Sequence, residues 1–154
     1  IPVISDPKLT GLNRINGAKV AIMKARGLEL MRRRGGSANS NEAAMAILEN
    51  NSIESLLVAG GEDGTTLYKS NGDSIHINCQ IENPQQQVGL LDAANVAMTA
   101  ALASGFSLED GCVLANTACE VILSGATSLE TVLSASALAT RLDEVAWSMQ
   151  TSQR

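Results

Sequence analysis

The 154-residue chain carries a formal net charge of −5, which argues against a polyanion partner because nucleic-acid footprints are basic. Its length suits one domain with a sizeable core. With 45% hydrophobic but only 2% aromatic residues, that core must be built from Ala, Val, Ile and Leu, as in close-packed helices on a sheet. No apolar run reaches the ~18 residues of a membrane span, and no signal peptide is visible. The chain opens at Ile1 without a methionine, directly in what reads as a strand, and is expected to be an excised, processed or partial chain.

Residues 1–5 (IPVIS) are a short apolar run closed by Asp6-Pro7, a buried strand followed by a turn. Residues 17–23 read as a second strand. Residues 28–34 look helical, and Gly35-Gly36-Ser37 stops them. Ser40-Asn41-Glu42 starts another helix over 43–50, which Asn50-Asn51-Ser52 ends. Residues 55–60 (SLLVAG) are a third buried strand, entering the turn Gly61-Glu62-Asp63-Gly64. Residues 65–69 and 74–79 flank Ser70-Asn71-Gly72-Asp73, a hairpin signal because Asn-Gly tolerates positive φ. From Leu90 the period lengthens: Leu91, Ala94, Val96, Met98, Ala101 and Leu102 fit a helix that stops at Ser104-Gly105. Ser107-Leu108-Glu109-Asp110 has the form of a capping box and opens a helix to Ser124-Gly125. Ser128-Leu129-Glu130-Thr131 begins a third, and residues 136–149 continue helical in pattern. Strand, helix, strand, hairpin, then helices make an α/β layered domain without an internal repeat or a long linker.

Cys79, Cys112 and Cys119 show no C-x-x-C spacing, and with His76 the single histidine there is no metal-ligand set. The odd count, with two of them inside apolar helical pattern, reads as buried free thiols of a reducing compartment, and a cytoplasmic location is expected. His76, on an alternating strand, reads as a surface or satisfied histidine rather than a ligand. The one basic cluster, Arg32-Arg33-Arg34 with Lys24 and Arg26, is either a solvated helix end or a local phosphate contact, and is too small for a nucleic-acid stripe.

Several segments together carry a family resemblance. Asp6-Pro7-Lys8 is similar to a V-x-D-P-K strand end, and Val58-Ala59-Gly60-Gly61-Glu62-Asp63-Gly64 to a V-T-x-G-x-x-G turn. The stretch from His76-Ile77 reaches a D-V-T-G-A-G-D-like signature without a gap, ending on Asp92. Gly105-Phe106-Ser107-Leu108-Glu109-Asp110 and Leu114-Ala115-Asn116-Thr117-Ala118 match the helices that follow. On these residues the chain resembles the C-terminal half of the ribokinase-like (PfkB-type) carbohydrate kinases, above all the kinase domain of bifunctional heptose-7-phosphate kinase/adenylyltransferases. The resemblance implies a Rossmann-like, ribokinase-type layered sheet with a β-hairpin and C-terminal helices, half of a full kinase domain. Residues 1–150 would be its nucleotide-side part and 151–154 a polar tail. It also implies ATP-dependent phosphoryl transfer to a sugar or sugar phosphate, with Mg-ATP as cofactor. Asp92 would be the base that takes the sugar hydroxyl's proton, and Gly89 an anion-hole glycine at a helix start. Gly61 and Gly64 would approach the nucleotide phosphates, and Asn116 would sit near the adenine.

The pattern departs from that family at several positions. G-A-G-D is here Gly89-Leu90-Leu91-Asp92, and Leu91 adds a Cβ branch where backbone would come close to phosphate. Gln86 and Val88 stand for an Asp and a Thr, Ala59 for the Thr of the nucleotide turn, and Ile22-Met23-Lys24-Ala25-Arg26-Gly27 for T-P-N-x-x-E. The family's sugar pocket and lid come largely from its other half, so transfer by this chain is expected to be impaired or absent. The alternatives are a non-catalytic kinase-like scaffold, serving protein interaction or oligomerisation, and a nucleotide-sensing module. Without the family, Asp92 is an acid in the first turn of a helix, stabilised by the macrodipole. Gly61 to Gly64 is then a tight turn, and Asn116 a buried amide bonding a nearby loop. Lys8, at the carboxyl end of a strand, faces either solvent or a phosphate. The partners implied are an adenine nucleotide, a sugar phosphate, and a second copy or protein partner covering an apolar surface.

Overall fold

The computed structural model describes residues 3–5, 19–59, 63–81 and 89–124. Within them β1 (Val3–Ser5), β2 (Val20–Lys24), β3 (Ser55–Ala59), β4 (Thr65–Lys69) and β5 (Ser74–Ile77) form one sheet in sequence order. β1, β2 and β3 run parallel, while β4 and β5 are antiparallel to their predecessors. Two helices, α1 (Ala25–Gly35) and α2 (Ser40–Asn50), connect β2 to β3. Two more, α3 (Leu90–Ala103) and α4 (Leu108–Leu123), follow the hairpin.

The period-2 alternation of the strands divides the core between two layers of helix. Val20, Ile22, Leu57, Ala59 and Leu67 face α3 and α4. Ala21, Met23, Leu56, Val58 and Tyr68 face α1 and α2. Because both faces are covered, β2 and β3 need no polar alternation, which is why they read as continuous apolar runs. The α/β layered expectation therefore holds, with the sheet sandwiched between helix pairs.

Local signals set most boundaries. Ser107 caps α4, its hydroxyl accepting from the Asp110 N–H at 3.1 Å. The cap of α2 is Asn39 rather than Ser40: its side-chain oxygen accepts from Glu42 N–H at 2.9 Å, and Glu42 accepts in turn from Ala38 N–H. In the hairpin, Gly72 takes φ +95° and the Asn71 side chain accepts from Asp73 N–H.

Four expectations shift. Helix α1 begins at Ala25, before Gly27, since the stabilisation from buried Leu28 and the Glu29–Arg32 and Glu29–Arg33 pairs outweighs the ~1 kcal/mol helical cost of one glycine. β2 extends one residue further, to Lys24. β5 ends at Ile77 instead of residue 79, because its partner Thr65 is the first residue of β4 and the ladder has nothing left to pair. Val96 is 38% exposed, since it lies on the face of α3 opposite the buried Ala94, Ala97 and Met98. The helices expected over 128–149, the Asp6-Pro7 turn, the start of the second strand at 17–18 and the 151–154 tail lie outside the described residues.

Candidate functional site

The topology gathers one edge of the sheet. The parallel strands β1 to β3 end on one side of the sheet, β2 and β3 level at Lys24 and Ala59 and β1 at Ser5, opposite Ile22. β4 starts at that edge with Thr65 opposite Ala59, and β5 returns to it with Ile77 opposite Thr65. The carboxyl edge of such a sheet is where α/β folds bind ligands.

Helix α4 holds the start of α3 against this edge. The Cys119 thiol donates to the Leu90 carbonyl at 3.5 Å. Two residues on, Asp92 is exposed in the first turn of α3. Gly89 precedes the helix at φ +92° and offers no side-chain cap, so the first-turn N–H groups of Leu90, Leu91 and Asp92 have no acceptor within the helix. Among the described residues a Cβ on Gly89 would meet only Ile122 Cδ1, at 3.8 Å. Its backbone angle, not crowding, favours glycine there. Together, the left-handed glycine, the first-turn N–H groups without an acceptor in the helix and the helix dipole fit a phosphate. One turn on, Asn95 carries a buried side-chain oxygen with no hydrogen-bond partner among the described residues.

Leu91, expected to crowd this approach, is 7% exposed and belongs to the core shared by α3, α4 and the sheet. Leu90 is half-buried against the same core.

Gly64 and Asn116 meet at the start of the hairpin. Gly64 is buried at φ +96°, and a Cβ there would lie 2.0 Å from the Ile77 carbonyl oxygen. The glycine is thus demanded by the closeness of its own chain. Asn116 is 2% exposed: its side-chain oxygen accepts from Thr65 Oγ1 at 3.0 Å, and its Nδ2 donates to the Asn78 carbonyl at 3.4 Å. That is the buried amide bonding a nearby loop. Gly61, Lys8, Gln86 and Val88 lie outside the described residues.

The sequence reading passed over Glu120. It is fully buried on α4, one turn beyond Asn116, and its Oε1 accepts from Gln80 N–H at 2.6 Å. The signal was present as a lone acid in the apolar run Ala118-Cys119-Glu120-Val121-Ile122-Leu123.

The basic cluster divides. Arg32 and Arg33 both bond Glu29 at 2.8 Å, which holds its carboxyl down at about 2. Lys24 stands apart, exposed at the carboxyl edge as the N-cap of α1, whereas Arg34 lies in the last turn of that helix, about 15 Å along it. His76 is exposed and bonded to Thr66 Oγ1 at 2.7 Å, a satisfied surface histidine. Cys112 and Cys119 are buried free thiols, each pushed up to about 12 by burial, and Cys79 is half-buried. Among the described residues no group of three or more His, Cys, Asp or Glu side chains is placed to hold a metal ion, and no helix is long and apolar enough to cross a membrane.

Comparison with known proteins places this layout. The bifunctional protein HldE of Sodalis glossinidius is 31% identical over 127 residues, 80% of this chain and 26% of that protein. The chain therefore spans about a quarter of the length of this curated relative. Ribokinase from Thermotoga maritima superposes with a TM-score of 0.71 at 16% identity, over 82% of this chain and 42% of the other. Ribokinase from Cryptococcus neoformans var. grubii serotype A, in complex with ADP, gives 0.70 at 18% identity, over 90% and 51%. At those identities the two ribokinases show the fold alone. The family model for pfkB family carbohydrate kinases matches residues 1–132, from β1 through the whole of α4, and the chain belongs to that family.

Proposed function

We propose that this chain forms the nucleotide side of a carbohydrate-kinase site, with transfer to a sugar or sugar phosphate impaired in the chain by itself. The observation that carries the reading is the first turn of α3: a left-handed glycine, N–H groups without an acceptor in the helix and an exposed carboxylate at the carboxyl edge of the sheet. Gly89 and the N–H groups of Leu90 and Leu91 would hold a phosphate of the nucleotide. Asp92 would take the proton of the attacking hydroxyl. Mg-ATP would supply the phosphoryl group, with magnesium carried by the nucleotide's own phosphates. Impairment rests on Gln86 and Val88, which stand where the family has an acid and a hydroxyl.

The second reading, a kinase-like scaffold that meets a second copy or another protein, is favoured by Asn116. Its amide is spent inside the chain and only 2% exposed, so it has little surface to give an adenine.

The test is a calorimetric titration with Mg-ATP and Mg-ADP on the folded chain and on Gly89→Ala and Asp92→Asn. Saturable binding that weakens roughly tenfold in Gly89→Ala supports the phosphate contact. In Asp92→Asn binding should persist while any transfer disappears. A folded chain that binds neither nucleotide sinks the first reading and leaves the scaffold.

A further inference from the structure

One turn of α4 touches both the chain leaving the sheet and the helix that carries Asp92. Asn116 and Glu120 are four apart, hence on one face of α4. They bond Asn78 and Gln80, which are two apart: Asn116 Nδ2 donates to the Asn78 carbonyl, and Gln80 N–H donates to Glu120 Oε1. The match is geometric, because one helical turn rises about 5.4 Å and two residues of extended chain about 6.6 Å. A carbonyl at one residue and the N–H two residues on are the pair that a strand offers to a neighbour on one side. Beyond Ile77, where β4 has no residue left to pair, two side chains of α4 take that neighbour's place. Asn116 is itself fixed to β4 through Thr65, at 3.0 Å. Between them in sequence, Cys119 donates to the carbonyl of Leu90, the first residue of α3.

We infer that Glu120 is a positioning residue. Its buried carboxyl holds the backbone at Gln80 to the same turn of α4 that holds Leu90, and so sets the first turn of α3, with Asp92, against the carboxyl edge of the sheet. A fully buried acid needs a partner to be tolerated, and the backbone N–H of Gln80 is one it has. The functional half of this inference rests on the proposal that the first turn of α3 meets phosphate. The structural half does not.

The test is amide exchange followed residue by residue in the 154-residue chain, with nucleotide titrations in parallel. In the wild type the Gln80 N–H should be protected like the α4 backbone. Glu120→Leu keeps volume but removes the acceptor, and should speed exchange at Gln80 at least tenfold while β3 amides keep their rates. Glu120→Gln keeps an acceptor and should restore protection. Leu123→Ala, on the same helix, removes comparable or greater packing without touching that bond, and should leave Gln80 protected relative to β3. If the wild type binds Mg-ADP, affinity should fall about tenfold in Glu120→Leu and stay unchanged in Leu123→Ala. A wild type that binds no nucleotide refutes the functional half alone, and exchange still decides the positioning. Free exchange of Gln80 in the wild type, equal acceleration of Gln80 and β3 in Glu120→Leu, or loss of protection in Glu120→Gln overturns it. If Glu120→Leu does not fold, the wild type and Glu120→Gln carry the decision.

Discussion

Gly64→Ala and Gly72→Ala are a matched pair of perturbations. The two glycines have almost the same backbone angle, φ +96° and +95°, and differ in what surrounds them. A Cβ on Gly72 meets nothing within 4 Å, whereas one on Gly64 meets the Ile77 carbonyl oxygen at 2.0 Å and the Asn78 and Cys79 backbone at 3.0 Å. The left-handed angle alone costs an alanine roughly 1–2 kcal/mol, and Gly72→Ala should lose that much. At Gly64 a carbon–oxygen contact of roughly 3.3 Å is needed, so the backbone must part by more than an ångström. The Thr65–Ile77 pairing and the Asn116–Asn78 bond lie at that point. Disrupting one or two hydrogen bonds there adds about 1–3 kcal/mol each, giving roughly 2–8 kcal/mol in all, centred near 4–5. For a chain of this length that is about 10 °C or more in Tm, against about 3–6 °C for Gly72→Ala. Thermal and urea unfolding followed by circular dichroism, with all three proteins in one buffer, would measure both. Equal losses at the two positions, within about 0.5 kcal/mol, would refute the reasoning. A large loss at Gly64 also means that weakened nucleotide binding by a Gly64 variant cannot identify a phosphate contact. Gly89, where an added Cβ would make only an ordinary contact with Ile122 Cδ1 at 3.8 Å among the described residues, is the position where that question can be asked.

Two further expectations concern the core. Leu91→Ala should cost ~2–5 kcal/mol because it empties a site sealed by α3, α4 and the sheet, and Leu91→Gly about 1 kcal/mol more. Restoring a glycine at 91 therefore works against the fold, and a loss under ~1 kcal/mol in urea unfolding would show the side chain is not packed as described. The thiols predict an alkaline limit. Cys112 and Cys119 are raised from 9 to about 12, so above pH 9 the unfolded chain gives up those protons before the folded one does. Their contribution is whole below pH 9 and fades as pH climbs towards 12. The urea midpoint should fall between pH 8 and pH 10.5, less so in Cys112→Ala/Cys119→Ala, and a flat profile in the wild type would contradict the burial. An alkylating reagent at pH 8 should label Cys79 first.

The sequence by itself determined what depends on near neighbours. The hairpin at Asn71-Gly72, the Ser107 cap and the covered strands β2 and β3 are each written within a few residues, and their order already spells a layered α/β domain. The glycine and acid of the candidate site, Gly89 and Asp92, were legible for the same reason, since helix starts carry local signatures. The role of Leu91 was not. A leucine in a helix's first turn can face solvent, ligand or core, and only the docking of α4 settles that it lies in the core. Asn116 and Glu120 stand out in the chain as polar residues in an apolar helix, but their partners appear only when α4 is laid beside residues 78–80, some 40 positions earlier. Periodicity tells which residues share a face of a helix. What that face meets is decided by packing between segments far apart in sequence, and buried polar groups are fixed by where their partners arrive.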